Sequence, residues 1–344
     1  MSGSILISTH VPLAPLTTLG IGGTAQVFIE AHTDKEVEDA IAYAREHDLT
    51  LRPLGAGSNI LIPDEGVDGV VLKISLDDST FENDGDETVL IAGAGVRWEE
   101  IVDVASNRGL FGIENLAGIP GTMGGAVVQN IGAYGAEFSS VFAYADAINS
   151  ATGAHERINR AEAEFAYRAS FFKKHRDYLV LRVALRLSKN IPRNITYKDL
   201  VHADEKEISL QTSSEIASAV RAIRAKKFPH DRGEGTAGSF FKNPIISRTR
   251  ADELAERFPN LPLFPQENGM VKLSLAWILD HVLSLKGFSQ GRVRLYEGQP
   301  LVIVATTGAT ATEVDAFACE IAQRVLKATN IVIEREVETF GAHT

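Results

Sequence analysis

Helix-period and strand-period patterns alternate along the first third of the chain. Gln26 to Ala31 reads as a short strand. Thr33-Asp-Lys-Glu36 matches a capping box, and Val37, Ile41 and Ala44 follow at helical spacing, which predicts a helix over 34–47. Leu51 to Leu54 and Val70 to Ile74 read as strands, then Val89 to Ala94 as another strand and Trp98 to Ala105 as a helix. Asn149-Ser-Ala-Thr-Gly153 is a turn signal between two strands, and Tyr178 to Leu187 is a strongly apolar strand. Beyond Pro192 the pattern becomes largely helical. Helices are expected over Ser213–Lys226, over Thr249–Arg257 with Pro259 as the stop, and over Ser274–Leu283. Leu301 to Ala305 reads as a strand. A second capping box, Thr310-Ala-Thr-Glu313, leads Val314, Phe317, Ile321 and Val325 down one helix face. Ile331 to Phe340 alternates in part and reads as a closing strand, with Glu334 and Glu336 on one face.

One stretch fits neither period. Gly112 to Gly135 is dense in glycine yet carries Leu116, Ile119, Val127, Val128 and Ile131, which need burial. An ordered, apolar, glycine-rich loop lets backbone approach a large ligand. Gly55-Ala56-Gly57-Ser58-Asn59 follows a strand directly, and its small residues let amides converge on an anion. Two such loops suggest a dinucleotide site outside the Rossmann pattern. Gly20-Ile-Gly22-Gly-Thr-Ala25 does not supply that pattern, because coil precedes it and a strand-like run follows. A phosphate loop ending in Gly-Lys-Ser/Thr and a His-Glu-x-x-His motif are both absent from the sequence. Ala237-Gly-Ser239-Phe-Phe-Lys242-Asn243-Pro244 interleaves polar groups with phenylalanine, which is costly to bury unless paired and marks a candidate substrate pocket. Phe228 to Thr236 is polar and glycine-rich, as expected of a crossing between domains.

Composition narrows the classes. The 344 residues suffice for two or three domains, and the net charge of -11 argues against non-specific nucleic-acid binding. A single cysteine, Cys319, excludes an internal disulfide and a multi-cysteine metal site, and its helical context reads as buried filler. The opening MSGSILISTH lacks a signal-peptide pattern, and no stretch reaches the roughly 18 apolar residues of a membrane span. These features lead us to expect a cytoplasmic protein without membrane partners.

With its motifs assembled, the chain resembles the UDP-N-acetylenolpyruvoylglucosamine reductase family from about Thr17 to Gly341. The resemblance rests on Gly55-x-Gly-Ser-Asn-Ile-Leu61, on Ile119-Pro-Gly121 through Gln129-Asn-Ile-Gly-Ala-Tyr-Gly135, on Tyr167-Arg168, on Ala237 through Pro244, and on Glu334-x-Glu336-Val337. It implies an α+β FAD-binding fold of the vanillyl-alcohol oxidase type. FAD subdomains would span 1–76 and 77–220, the latter with a returning segment 331–344, and a substrate domain would span 221–330. It implies FAD and NADPH as cofactors and UDP-N-acetylglucosamine enolpyruvate as substrate, in a protein expected to be monomeric.

The same likeness assigns residues. Arg168, Ser239 and Glu336 match active-site positions. Gly55, Ala56, Gly57, Ser58, Asn59, Ile119, Pro120, Gly121, Gly124, Gly125, Asn130, Gly132, Ala133, Tyr134 and Arg224 match cofactor positions. Tyr167, Tyr197, Lys227, Asn243, Phe264 and Gln299 match substrate positions, and no metal ligand is implied. Tyr197 with its extra segment resembles the tyrosine-loop subtype. Phe264 stands where a tyrosine is familiar, which implies one hydroxyl contact fewer to the nucleotide end, and Thr17 stands where an asparagine is familiar; neither touches the implied chemistry. An oxidase of the same fold often holds flavin through His or Cys, and Gly112–Gly135 carries neither. A non-catalytic binding module would not need the Arg168, Ser239 and Glu336 set.

Overall fold

The computed structural model describes residues 5–229 and 233–341. The chain divides into two compact units. The first is Met1–Val11, Ala25–Ala56 and Asp68–Arg224; the second is Pro12–Thr24, Gly57–Val67 and Ala225–Thr344. The expected crossing at Phe228–Thr236 falls partly outside the described residues, which omit 230–232.

The first unit is built on two sheets. A four-stranded sheet has the order Ile7–Pro12, Thr24–Ala31, Val67–Ile74, Leu51–Leu54, and its last pair is parallel. The helix Asp34–Glu46 connects two of its strands. Its capping box forms as expected, with Thr33 accepting from the Glu36 amide. A five-stranded antiparallel sheet has the order His155–Asn159, Phe142–Asn149, Tyr178–Ser188, Glu87–Gly93, Ser79–Asp84. The helices Trp98–Asn107 and Met123–Gln129 contribute Trp98, Ile101, Met123 and Val127 to one core with Phe138 and Phe142.

The second unit carries a four-stranded sheet, Glu234–Ser239, Val302–Thr306, Val293–Leu295, Ser289–Gln290, and a three-stranded one, Ile245–Ser247, Met270–Leu273, Leu263–Pro265. The helix Ala311–Thr329 buries Val314, Phe317, Ile321 and Val325, the face read from the sequence. Within the 331–344 segment, Glu338–Thr339 pairs in parallel with Ile60–Leu61.

Four sequence expectations need correction. The Gly112–Gly135 stretch is not irregular throughout, because Met123–Gln129 is helical. Seven residues with adjacent glycines are too short and too weak in helix propensity to reveal a period. The helix expected over Ser274–Leu283 is a short α-turn, Leu275–Trp277, running into a π-helical turn, Ile278–Val282, whose altered pitch a 3.6-residue pattern does not encode. Ile331–Phe340 is not a continuous strand: Arg335 makes an isolated bridge to Phe241, and only Glu338–Thr339 pairs as a strand. Cys319 is exposed rather than buried, since its helix turns Ala318 and Ile321 inward instead.

Candidate active site

In the first unit the two glycine loops meet. A Cβ on Gly55 would lie 2.9 Å from Thr122 Oγ1, so this position suits glycine. Thr122 caps the 123–129 helix, accepting the Gly125 amide at 3.3 Å. Gly124 packs against Ala94, whose carbonyl accepts its amide at 3.0 Å. Among the described residues, the amides of Gly55, Ala56, Gly121 and Thr122 donate to no acceptor. Amides left without an internal acceptor need another partner, and four of them on two touching loops fit the diphosphate of a dinucleotide such as FAD. Pro120 contributes no donor, and Ile119 beside it is half-buried and apolar.

The same glycine-rich stretch continues into a hairpin, Gly132–Ala133 against Ala136–Glu137. Its two turn residues, Tyr134 and Gly135, both have positive φ, 47° and 82°. Tyr134 is buried, and burial pushes its hydroxyl up to about 12 despite the opposing Arg224 guanidinium. The Tyr197 ring meets the Tyr134 ring edge-on at 5.2 Å between centroids. Burial also raises the Tyr197 hydroxyl, with Asp199 adding to it. Arg224 donates from Nε to the Gly118 carbonyl at 2.9 Å and hydrogen-bonds Tyr134. Its guanidinium is pulled below the usual range by burial, against the pull of Tyr134 and Glu99. Glu99 accepts the Gly118 amide at 2.6 Å and pairs with Arg221. Gly118 is therefore held from both its amide and its carbonyl.

Arg168 stands on a tight turn. Ala166 and Ala169 exchange both backbone hydrogen bonds, at 3.1 and 3.0 Å, leaving Tyr167 and Arg168 at the tip. Arg168 has φ 55°. Its Nη2 donates to the Gly132 carbonyl at 2.7 Å. A Cβ on Gly132 would come within 2.9 Å of Arg168 Nη1, so glycine makes room for the guanidinium.

In the second unit Ser239 ends the Glu234–Ser239 strand just after a bulge. The pairing with Val302–Thr306 shifts register between Thr236 and Ser239, and Gly238 takes φ 80° with nothing within 4 Å of its would-be Cβ. Bulges re-aim the side chain that follows them. The Phe240 amide donates to the Leu301 carbonyl at 2.8 Å, and the Phe240 carbonyl accepts the Glu336 amide at 2.8 Å. Ser239 and Glu336 are thereby fixed by main-chain bonds through one residue. Asn59 Nδ2 donates to the Glu336 carbonyl at 3.1 Å, and the Asn59 carbonyl accepts the Glu338 amide. Asn59 thus holds the Glu336 segment, whatever its backbone does for a cofactor. Gly57 lies against the Leu16 carbonyl, and Ser58 follows it half-buried.

The remaining sequence-derived positions are spread over the second unit. Asn243 Oδ1 accepts the Leu275 amide at 3.0 Å, and Gln299 begins a turn whose carbonyl accepts the Val302 amide at 2.9 Å. Lys227 is half-buried. Phe264 is 48% exposed on its strand opposite Lys272, so its ring is available for an apolar contact.

Two supporting residues were not singled out from the sequence. Asn115 is buried, and its Nδ2 donates to the carbonyls of Tyr134 and Asn194 at 2.8 and 2.7 Å, tying the hairpin turn to the segment before Tyr197. Asp64 accepts the Ala311 and Thr312 amides at 2.7 and 2.9 Å and the Thr312 hydroxyl at 2.7 Å, capping the 311–329 helix. Burial raises its carboxyl, and these bonds outweigh that and hold it below its ordinary value. A polar residue inside an apolar loop was the available signal for Asn115. Asp64 gave none, because its partner lies 247 positions away.

Comparison with known proteins gives the site its setting. Residues 25–159 match an FAD binding domain family, and residues 229–340 match the C-terminal domain of UDP-N-acetylenolpyruvoylglucosamine reductase. The Pseudomonas aeruginosa UDP-N-acetylenolpyruvoylglucosamine reductase is 37% identical over 340 residues, covering 98% of this chain and 100% of that one. The Escherichia coli K12 enzyme of the same name is 36% identical over 332 residues, covering 96% of each chain. The crystal structure of the Thermus caldophilus reductase superposes with TM-score 0.65 at 26% identity, covering 97% of this chain and 98% of that one. The 6-hydroxy-D-nicotine oxidase of Arthrobacter nicotinovorans shares the fold alone, with TM-score 0.50 at 14% identity over 90% of this chain and 81% of that one. The fold is the α+β FAD-binding type of the vanillyl-alcohol oxidase group, and by its 37%-identical relative and its FAD-binding family match the protein is an FAD-dependent oxidoreductase. Within that class, the chain belongs to the UDP-N-acetylenolpyruvoylglucosamine reductase family.

Proposed function

We propose that the protein reduces UDP-N-acetylglucosamine enolpyruvate to UDP-N-acetylmuramate, a step of peptidoglycan precursor synthesis, in the cytoplasm and as a monomer. NADPH is the electron donor. When bound, FAD supplies hydride transfer from NADPH to the enolpyruvyl methylene carbon. One observation carries the reading: the Arg168 guanidinium is fixed on the Gly132 carbonyl, at the end of the same glycine-rich stretch whose Gly121 and Thr122 amides await an acceptor. A cation for a carboxylate is thus docked on the segment that carries donors for a diphosphate.

The backbone of Gly55 to Asn59 and of Ile119 to Gly125 holds the cofactor, and Asn130 to Tyr134 with Arg224 borders it. Residues 1–76 and 77–220 with 331–344 serve the cofactor, and 221–330 serves the substrate. Hydride addition leaves negative charge on the carbon next to the substrate carboxylate. Arg168, always charged, pairs with that carboxylate and stabilises the added density. Glu336 assists at the same end of the substrate. The Ser239 hydroxyl gives its proton to the carbanion carbon and recovers one from water, with Lys227 stabilising the transient alkoxide. Lys227 also meets the diphosphate of the nucleotide, with Tyr197, Asn243 and Gln299 as polar contacts. Phe264 offers an apolar face without a hydroxyl. Tyr197 beside Tyr134 supports assignment to the tyrosine-loop subtype.

Stopped flow at flavin wavelengths tests the assignment. Ser239→Ala leaves reduction by NADPH intact and slows reoxidation by the enolpyruvyl sugar about 10²–10⁴-fold. Equal loss in both half-reactions would reject a proton-donor role.

A further inference from the structure

The turn that carries Arg168 is pinned from outside by one buried side chain. Asn130 follows the 123–129 helix with φ 40° and is 1% exposed. Its Nδ2 donates to the Ala166 carbonyl at 2.9 Å, and its Oδ1 accepts the Ser139 amide at 3.0 Å. The Ala166 carbonyl already accepts the Ala169 amide across the Tyr167–Arg168 tip. Both lone pairs of that oxygen are engaged, so the turn can neither slide nor tilt without breaking a bond.

Neighbouring bonds reinforce the same seam. Ser170 Oγ donates to the Val128 carbonyl at 2.7 Å, and Lys173 Nζ donates to Gln129 Oε1 at 2.7 Å. Three consecutive residues, 128–130, thus grip the segment on which Arg168 stands, while Arg168 itself reaches Gly132.

Few residues can do what Asn130 does. The position needs a backbone that tolerates positive φ, a donor for Ala166 and an acceptor for Ser139. Glycine meets the first requirement only, and aspartate lacks the donor. We infer that Asn130 is a positioning residue: its carboxamide sets where the Arg168 guanidinium stands, beyond any backbone contact it makes to cofactor. This rests on the role given to Arg168 above.

The test uses the FAD-loaded enzyme with NADPH and the enolpyruvyl sugar in stopped flow. Asn130→Gly keeps the backbone conformation and deletes both bonds; Asn130→Asp keeps the Ser139 bond and deletes the other. In the FAD-loaded fraction of both, substrate-driven reoxidation is expected to slow about tenfold more than reduction by NADPH does. Adding Asn130→Gly to Arg168→Ala costs less than about twofold more, because a positioning residue has nothing left to position. Parental reoxidation in both Asn130 variants overturns the inference and leaves the Arg168 assignment standing. So does a loss that adds in full to that of Arg168→Ala, or loss of FAD from both variants. Parental reoxidation in Arg168→Ala alone overturns the arginine's role and the positioning with it.

Discussion

Arg168 and Ser239 are held in opposite ways. In the first unit the arginine is placed by side chains reaching carbonyls: Asn130 to Ala166, Ser170 to Val128, Arg168 to Gly132. In the second, Ser239 and Glu336 are placed largely by main chain, through the Phe240 amide and carbonyl and the bulge at Gly238, with the Asn59 side chain added on the Glu336 carbonyl. Side-chain knots can be untied one at a time by substitution, whereas a ladder yields only to changes that alter the backbone. The first unit should therefore lose function without losing stability, and the second should lose both together.

The largest expected contrast comes from Gly132→Ala. Its Cβ would crowd Arg168 Nη1 at 2.9 Å and the Ala136 carbonyl at 3.2 Å; the guanidinium end is the more easily displaced, so substrate-driven reoxidation falls on the order of 10²-fold while thermal stability changes little. Coupled loss of stability would break the contrast. Gly238→Ala tests the other side. Its Cβ meets nothing, so the cost is backbone strain at φ 80°, about 1–2 kcal/mol in urea unfolding, accompanied by slower reoxidation. A stable, slow variant would show that the bulge is not what orients Ser239.

Smaller effects sharpen the picture. Asp64→Ala removes a helix cap and costs about 1 kcal/mol at neutral pH. Because the folded-state carboxyl lies below its ordinary 3.8, this contribution is present above that value. The gap between parent and variant should close as pH falls through the lowered value. Glu114 works in the other direction. It is buried, accepts the Gly112 amide at 2.6 Å, and burial raises its pKa above the ordinary 4.5. The folded state then keeps a proton that the unfolded chain releases, so its contribution to stability declines as pH rises through that interval. Glu114→Gln keeps an acceptor and removes the ionisation. Its melting temperature should draw ahead of the parent as pH climbs above 4.5, with no advantage below it.

Much of this was legible in sequence because the signals were local. Both capping boxes, the apolar face of the 311–329 helix and the Tyr178–Ser188 strand follow from neighbours within a few residues. The glycine loops could be recognised as ligand-shaped, and Arg168, Ser239 and Glu336 could be named by likeness. What stayed hidden was long-range or irregular. The π-helical turn at Ile278–Val282 breaks the period that reveals helices. The 331–340 segment alternates like a strand but mostly lacks a ladder partner. Asn130 looked like one more residue of a cofactor loop. Its donor and acceptor bonds, 36 and 9 positions away, appear only once the chain has folded.

The cap on the last long helix has a consequence for biosynthesis. Asp64 emerges from the ribosome well before Ala311 and Thr312, and Ile60–Leu61 well before Glu338–Thr339. The Asp64 carboxylate and the Ile60–Leu61 edge must therefore wait for these partners until residues 311–339 have been made. The larger unit can condense in the meantime, but the smaller one is a late, all-or-none event. A nascent chain released early would carry the 57–67 segment on an unfinished support, and this interval is where chaperone engagement or proteolysis should concentrate.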